Sequence, residues 1–262
     1  MRRTPVMTMM IRAAEKAGRA VVRDFGEVEH LQASNKGPRD FVEKADEKAS
    51  RILQEELEKA RPRFGLLMDG LDEIIGADTS HRFIADPIDG ATNFMHGLPQ
   101  FAVSVALEES REVIAGVVYN PVTDELFWAE RNEGAYLHDR RIRVSRRTHL
   151  SEALVAGAPF LHDSHNPDQW SGIFNRLAQS CTIRIVGAAS ISLVQVAAGK
   201  LDGYVDAGLK PWEFAAGSII LQEAGGIITD LNGGAGWLKS GELVAASGEL
   251  HRQILSTSIR QA

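Results

Sequence analysis

The residues with the clearest chemistry lie in FIADPIDGATNFMHGLP, at positions 83 to 99. Asp86 and Asp89 flank a Pro-Ile pair, and the proline favours an extended segment in which a backbone carbonyl can point the same way as the carboxylates. Hard divalent cations bind carboxylate, carbonyl and water oxygens. Gly90 then allows close backbone approach, and residues 91–93 can open a helix whose free N–H groups receive a phosphate. This stretch therefore predicts a metal site and an anion site at one turn.

The same stretch also fits a purely structural role. Asp-Pro and Asp-Gly are common turn pairs, and Thr92 or Asn93 could simply cap a helix. A second acidic position favours the functional alternative, because Glu213 begins the Ala- and Gly-rich helix predicted for KPWEFAAGSIILQEAGG. A carboxylate at a tight helix start is placed to reach an ion.

Helices and strands of the first half must position these residues. Apolar residues at helical spacing from Val6 to Val21 predict an amphipathic first helix, and residues 42–62 predict a second. FGLLMDG and HRFIADP read as strands, the second stopping at Pro87, which lacks a ladder donor. The acidic residues Asp69 and Asp86 then lie at strand ends. Three further strand-like runs, QFAVSVALEE, EVIAGVVYNPVTDELFWAE and GAYLHDRRIRVS, predict an antiparallel meander.

The pattern changes near residue 149. Short strands alternate with helices from there to the C-terminus, which is typical of an α/β arrangement. We therefore predict an N-terminal α+β subdomain over 1–148, which carries DPIDG, and a C-terminal α/β subdomain over 149–262, which carries Glu213.

Composition narrows the class of partner. The 262 residues carry a net charge of -6 with Lys and Arg mixed among the acids, so a basic surface for direct nucleic-acid binding is not predicted. No apolar run approaches the ~20 residues of a membrane span, and Arg12 ends a short N-terminal run that could suggest a signal peptide. The single cysteine, Cys181, suits a reducing compartment. We expect a cytoplasmic protein with a small-molecule partner.

Four motifs together resemble the inositol monophosphatase family: DFVEKAD (40–46), GLLMDG (65–70), DPIDGATNF (86–94) and WEFAAG with QEAGG (212–226). The resemblance covers nearly the whole chain and implies a layered αβαβα sandwich of the inositol monophosphatase and fructose-1,6-bisphosphatase type. It also implies a homodimer and a lithium-sensitive phosphatase that uses two or three Mg²⁺ ions on small phosphorylated polyols or sugars.

The resemblance also implies roles for individual residues. Expected metal ligands are Asp69, Asp86, the carbonyl of Ile88, Asp89 and Glu213. Expected catalytic positions are Asp46, which matches an aspartate that orients the attacking water, together with Asp69 and Ala91. Expected substrate contacts are Gly90, Ala91, Thr92, Ala189, Asp206 and Glu213.

Several of these positions depart from the family pattern. The usual Gly-Thr-Thr-Asn-Phe reads Gly-Ala-Thr-Asn-Phe, so Ala91 keeps the phosphate-binding amide and lacks the hydroxyl that aims the water. The usual Glu-Glu is Asp69-Gly70, and the usual Trp-Asp has Glu213. This chain has Glu43 where the family has Ser or Thr, and Asp206 where the family has Glu. Because Mg²⁺ demands near-ideal octahedral geometry, such changes predict reduced turnover.

Two accounts follow from these departures. In one, Asp69 and Glu213 compensate for each other across one metal, Glu43 replaces charge lost at Gly70, and the chain is a slower or retuned phosphatase of inositol-1-phosphate-like monoesters. In the other, the chain is a ligand-binding or regulatory protein on a phosphatase scaffold. Some similar bacterial members act on ribosomal RNA transcription, which suggests a transcription-machinery partner. Phosphatases of fructose-1,6-bisphosphate or 3'-phosphonucleotides share the DPxDG core and stay open as alternatives.

Overall fold

The computed structural model describes residues 3–31, 38–157 and 167–259. The chain begins with two long helices, α1 (Pro5–Leu31) and α2 (Pro38–Ala60). A seven-stranded sheet follows, built from β1 (Gly65–Met68), β2 (His81–Asp89), β3 (Ala102–Glu109), β4 (Glu112–Asn120), β5 (Glu125–Glu130), β6 (Gly134–Leu137) and β7 (Arg140–Arg141). The short helix α3 (Ala91–Met95) lies between β2 and β3.

Strands of this first sheet lie beside one another in the order of the chain. β1 and β2 are parallel, and every later neighbouring pair is antiparallel. The predicted meander is therefore confirmed. The prediction that β2 stops at Pro87 is wrong: the strand continues to Asp89. Pro87 lies where the pairing of β2 with β3 skips, so a ladder donor is not needed there.

The second half contains β8 (Leu154–Gly157), α4 (Pro167–Ser180), β9 (Thr182–Arg184), α5 (Ala189–Ala197), β10 (Gly203–Asp206), α6 (Pro211–Glu223), β11 (Ile227–Thr229), α7 (Trp237–Ser240), β12 (Leu243–Ala246) and α8 (Gly248–Ile259). Its five strands form one sheet in the order β11-β12-β10-β8-β9, with β10, β8 and β9 parallel. The predicted alternation of strands and helices is confirmed.

Apolar side chains hold these elements in layers. Buried residues of α1 and α2 pack on one face of the first sheet, and the predicted apolar stripe of α1 is confirmed by Met10, Ala14, Ala17 and Val21, all fully buried. Residues of α5 and α6 fill the space between the two sheets. Residues of α4 and α8 cover the outer face of the second sheet. This is the αβαβα sandwich that the motifs imply.

Both sheets contact α5 and α6. The first sheet ends at Arg141 and the second begins at Leu154. A division into subdomains at residue 148 stays a prediction. In the part of the chain that is described, no helix is both long enough and apolar enough to cross a membrane.

Candidate active site

The two aspartates of DPIDG are brought to one face by an irregularity in β2. Asp86 pairs with Ser104 of β3, and Asp89 pairs with Ala102, so β2 has one residue more than β3 between these pairs. Successive residues of a regular strand point to opposite faces, so two positions three apart would point to different faces. The extra residue places Asp86 and Asp89 opposite two β3 residues that share a face. Both aspartates are buried.

Three acidic residues from other segments, Asp46, Asp69 and Glu213, act on Asp86 through their charges. Burial raises the pKa of Asp86 well above its ordinary value, and the charges of Asp89, Asp69 and Glu213 raise it further. Burial also raises the pKa of Asp89 to about 7, with hydrogen bonds from Ser190 opposing the rise and the charge of Glu213 adding to it. The acidic side chains predicted from distant motifs therefore lie within electrostatic range of one another.

Glu213 is held at the start of α6. Its Oε2 accepts a hydrogen bond from the Lys210 N–H at 2.6 Å. Ser104 of β3, the partner of Asp86, donates to the carbonyl of Trp212 at 3.4 Å, which ties this helix start to the DPIDG strand. Burial raises the pKa of Glu213, and the charge of Asp69 contributes. The charge of Asp69 therefore acts on Glu213, and compensation between the two across one metal stays a prediction.

Asp46 reaches the same region from α2. Burial raises its pKa to about 6, and the charge of Asp69 adds to the rise. Gly70 borders it: its φ is +74°, and a β-carbon built there would lie 3.7 Å from Oδ2 of Asp46. The departure from Glu-Glu to Asp69-Gly70 thus removes a side chain beside Asp46.

Donors already contact several of these carboxylates. Asp86 Oδ1 accepts from the Ile88 N–H at 3.0 Å.

Ion pairs within the described ranges involve none of the acidic residues Asp46, Asp69, Asp86, Asp89 and Glu213. Among those same ranges, no three acidic, histidine or cysteine side chains converge closely enough to hold one ion in their present rotamers. The cluster is a set of neighbouring carboxylates rather than a finished coordination shell.

The turn after Asp89 depends on Gly90. Its φ is +95°, and a β-carbon there would lie 2.8 Å from the Gln100 carbonyl oxygen, so only glycine fits. Ala91 and Thr92 follow at the exposed start of α3. The capping alternative is wrong, since neither Thr92 nor Asn93 caps this helix: the cap position is Gly90, without a side-chain bond. Asn93 is buried instead.

Asn93 joins this turn to the second half of the chain. Its Nδ2 donates to the Gln100 carbonyl at 2.7 Å and to the Val186 carbonyl at 2.8 Å. Val186 lies just before α5, whose first residue is Ala189. The Ala189 N–H donates to Asp89 Oδ1 at 3.3 Å, so Ala189 lies beside the DPIDG motif, and its contact with substrate stays a prediction.

Asp206 lies next to the cluster, but its oxygens already accept hydrogen bonds. The buried Tyr204 hydroxyl donates to Oδ2 at 2.7 Å, and the Ala207 N–H donates to Oδ1 at 2.8 Å. Burial raises the pKa of Asp206 to about 7, and the charges of Glu213 and Asp89 contribute. A substrate hydroxyl would therefore share Asp206 with Tyr204.

Two polar residues of the site were missed from the sequence, Ser190 and Tyr204. Ser190 lies in AASISLVQVAAG, where the helical pattern is visible but its partner Asp89 is 101 positions away. Tyr204 lies in LDGYVDA, where strand alternation suggests only packing. Neither contact leaves a local signal.

A cleft of about 900 Å³ lies elsewhere, at the amino ends of β1 and β2. Gly65, Arg82, Glu108, Arg111 and Lys239 are among the residues that line it. None of the clustered acidic residues borders this cleft. The raised pKa values of the acids favour the C-terminal end of β2, which carries Asp86 and Asp89, as the site.

A model of the Inositol monophosphatase family matches residues 2–261. The chain belongs to the inositol monophosphatase family. This places it among the phosphoric monoester hydrolases, and the family is generally metal-dependent.

Individual members show how close the similarity is. The inositol-1-monophosphatase of Rhizobium meliloti is 46% identical over 248 residues, 94% of this chain and 93% of that protein. The Nus factor SuhB of Pasteurella multocida is 38% identical over 254 residues, 96% of this chain and 95% of that protein. The crystal structure of the extragenic suppressor protein suhB from Bartonella henselae is 44% identical, with a TM-score of 0.90 over 99% of this chain and 100% of that one.

Proposed function

We propose that this inositol monophosphatase family member hydrolyses small phosphate monoesters such as inositol-1-phosphate, with Mg²⁺, at a reduced rate. The observation that carries the proposal is the extra residue in β2, which puts Asp86 and Asp89 on one face beside Asp69 and Glu213. Relatives named inositol-1-monophosphatase support the substrate class.

The donor chemistry fits a hard divalent cation. Buried carboxylates are costly unless a positive charge offsets them, and no ion pair among the described residues involves these acids. Asp69, Asp86, Asp89, Glu213 and the Ile88 carbonyl would supply oxygen ligands of the kind that Mg²⁺ prefers. Two or three bound Mg²⁺ ions would supply Lewis-acid stabilisation of the phosphoryl oxygens and a lower pKa for a bound water.

Asp46 would orient the attacking water and act as its general base. Its pKa of about 6 is near the operating range of a general base at neutral pH. In the family pattern, a threonine hydroxyl at position 91 helps this aspartate aim the water. Ala91 leaves Asp46 to do so alone, which is the physical reason for expecting slow turnover.

The other predicted substrate contacts divide between the phosphate and the polyol ring. The amides of Gly90 and Ala91, with Thr92 beside them, would hold the phosphate, and Ala189, Asp206 and Glu213 would line the sugar. Asp206 shares its oxygens with Tyr204 and Ala207, so it offers fewer free lone pairs to ring hydroxyls than an unpartnered carboxylate.

Calorimetric titration of the full chain with Mg²⁺, together with release of inorganic phosphate from inositol-1-phosphate, tests the proposal. We expect saturable Mg²⁺ binding, slow Mg²⁺-dependent release and inhibition by Li⁺. Asp89→Asn should abolish both Mg²⁺ binding and phosphate release. Asp72→Asn is the matched control, since Asp72 is exposed and lies three positions from Asp69. Absence of Mg²⁺ binding by the unmodified protein would contradict the proposal.

A regulatory role is the second candidate. The Pasteurella multocida relative is named a Nus factor, and Ala91 lacks the hydroxyl that turnover uses. A transcription-machinery partner, without direct nucleic-acid contact, would then be captured by the purified protein. Pull-down with purified transcription factors tests this, and Ala91→Thr should not alter it. Under either candidate function we expect a cytoplasmic homodimer. Light scattering measures whether the protein is a dimer.

A further inference from the structure

The Asp89 carboxylate is held by the start of α5. Asp89 is only 4% exposed and Ser190 is fully buried. The Ser190 N–H donates to Asp89 Oδ2 at 2.7 Å, and the Ser190 hydroxyl donates to the same oxygen over a short contact. Oδ1 receives one long bond of 3.3 Å, from the Ala189 N–H. The two oxygens of Asp89 are therefore unequally engaged.

The start of α5 is itself fixed against the DPIDG turn. Asn93 Nδ2 donates to the Val186 carbonyl at 2.8 Å. A β-carbon on Gly90 would lie 3.1 Å from the Ala188 methyl, so Ala188 packs directly on the turn. These two contacts fix the start of α5, and with it Ser190, relative to Asp89.

We propose that Ser190 is a positioning residue that holds Asp89 Oδ2 and leaves Oδ1 as the oxygen for a divalent cation. This rests on the proposed function, because it takes Asp89 as a metal ligand. With Oδ2 occupied by two donors from one residue, the carboxylate cannot rotate without losing both bonds. A ligand fixed in this way loses less rotamer freedom when the cation binds.

The chain supplies a matched control on the same helix. Ser192 is also buried, two positions along α5, but its hydroxyl donates to the Ala188 carbonyl at 2.7 Å within the helix. Ser190→Ala and Ser192→Ala therefore remove the same group from the same helix, and only the first touches Asp89.

Calorimetric titration of the full metal-free chain with Mg²⁺ tests the proposal without relying on turnover. Ser190→Ala should raise the Kd for Mg²⁺ by about 10- to 100-fold, the usual effect of removing a partner of a metal ligand. Ser192→Ala should leave the Kd within about threefold, well below that range. In a phosphate-release assay, Ser190→Ala should raise the Mg²⁺ concentration needed for half activity and leave the KM for the ester unchanged.

Each outcome has one meaning. If the unmodified protein binds Mg²⁺ and Ser190→Ala binds it equally well, or if Ser192→Ala weakens it as much, the positioning role is wrong while the proposed function stands. If the unmodified protein binds no Mg²⁺, the proposed function has failed instead. Should Ser190→Ala not fold, Ser190→Cys decides, because a thiol fills the space but donates weakly: a raised Kd supports the role and an unchanged Kd overturns it.

Discussion

Gly70 borders Asp46, since a β-carbon added to Gly70 would lie 3.7 Å from Oδ2 of the Asp46 carboxylate. In the family pattern this position carries a glutamate. Gly70 therefore offers no acidic side chain next to the carboxylate that we propose as general base, and this position is exposed to solvent.

Restoring the acid at position 70 should strengthen cation binding. We expect Gly70→Glu to bind Mg²⁺ about tenfold more tightly than Gly70→Ala, the scale of one contact around a metal. Both variants place a β-carbon at a φ of +74°, so both should lose about 1 kcal/mol of stability to backbone strain. Calorimetric titration and thermal unfolding in EDTA measure the two effects. Equal Mg²⁺ affinities would show that this position no longer reaches the site.

Restoring the hydroxyl at position 91 should raise turnover. Ala91 is exposed at the start of α3, so a larger side chain fits. We expect Ala91→Thr to raise kcat by at least about tenfold, since alignment by a catalytic group contributes ~10² to 10⁴. The control is Ala91→Val, which has the same shape and lacks the hydroxyl. Steady-state phosphate release decides, and an equal gain in both variants would rule out the hydroxyl as the cause.

The pair Asp69 and Glu213 should behave as one unit. The charge of Asp69 contributes to the raised pKa of Glu213, so the two carboxylates influence each other electrostatically. If their lengths compensate, Asp69→Glu and Glu213→Asp should each raise the Kd for Mg²⁺ by about tenfold, and the double variant should return near the original value. Additive losses in this double-mutant cycle would argue against compensation.

Combining the repairs gives a stricter test of the attenuation. If the three departures each cause part of the deficit, instead of Asp69 and Glu213 compensating for each other, the triple variant Asp69→Glu, Ala91→Thr, Glu213→Asp should raise turnover by at least about tenfold and above Ala91→Thr alone, because it restores both the ligand lengths and the hydroxyl. Phosphate release at saturating Mg²⁺ is the measurement. An unchanged rate would mean that other residues limit the reaction.

The metal-free protein should be more stable in mild acid than in mild base. Burial raises the pKa of Asp206 to about 7 and that of Asp46 to about 6. A raised carboxyl pKa means that the native state binds protons more strongly than the unfolded chain, so the stabilisation is present at low pH and is lost as pH rises to about 7. At about 1.4 kcal/mol per pKa unit, the loss should be on the order of a few kcal/mol.

Urea unfolding in EDTA at about pH 5 and about pH 8 measures this loss. Asp206→Asn should reduce the difference between the two conditions, because its side chain does not titrate. Asp72→Asn is the control and should leave the difference unchanged, since Asp72 is exposed. Greater stability at the higher pH would contradict the prediction.

Local patterns were sufficient for most of the elements. The apolar spacing of α1, the strand-like runs of the first sheet and the alternation after residue 149 all appear where the sequence indicates them. Each depends on periodicity within a short window, which hydrophobic burial imposes on any helix or strand. The end of β2 was misjudged, because proline limits a strand only where its partner requires a donor, and that depends on β3.

The sequence by itself determined which residue types are available: the carboxylates of DPIDGATNF, their counterparts at Asp46, Asp69 and Glu213, and the missing hydroxyl at Ala91. Only the tertiary structure decided how they meet. The pairing of β2 with β3 turns Asp86 and Asp89 to one face, and α5 brings Ser190 to Asp89 across 101 positions. Strand register and helix packing depend on contacts between distant segments, and local spacing carries no record of them.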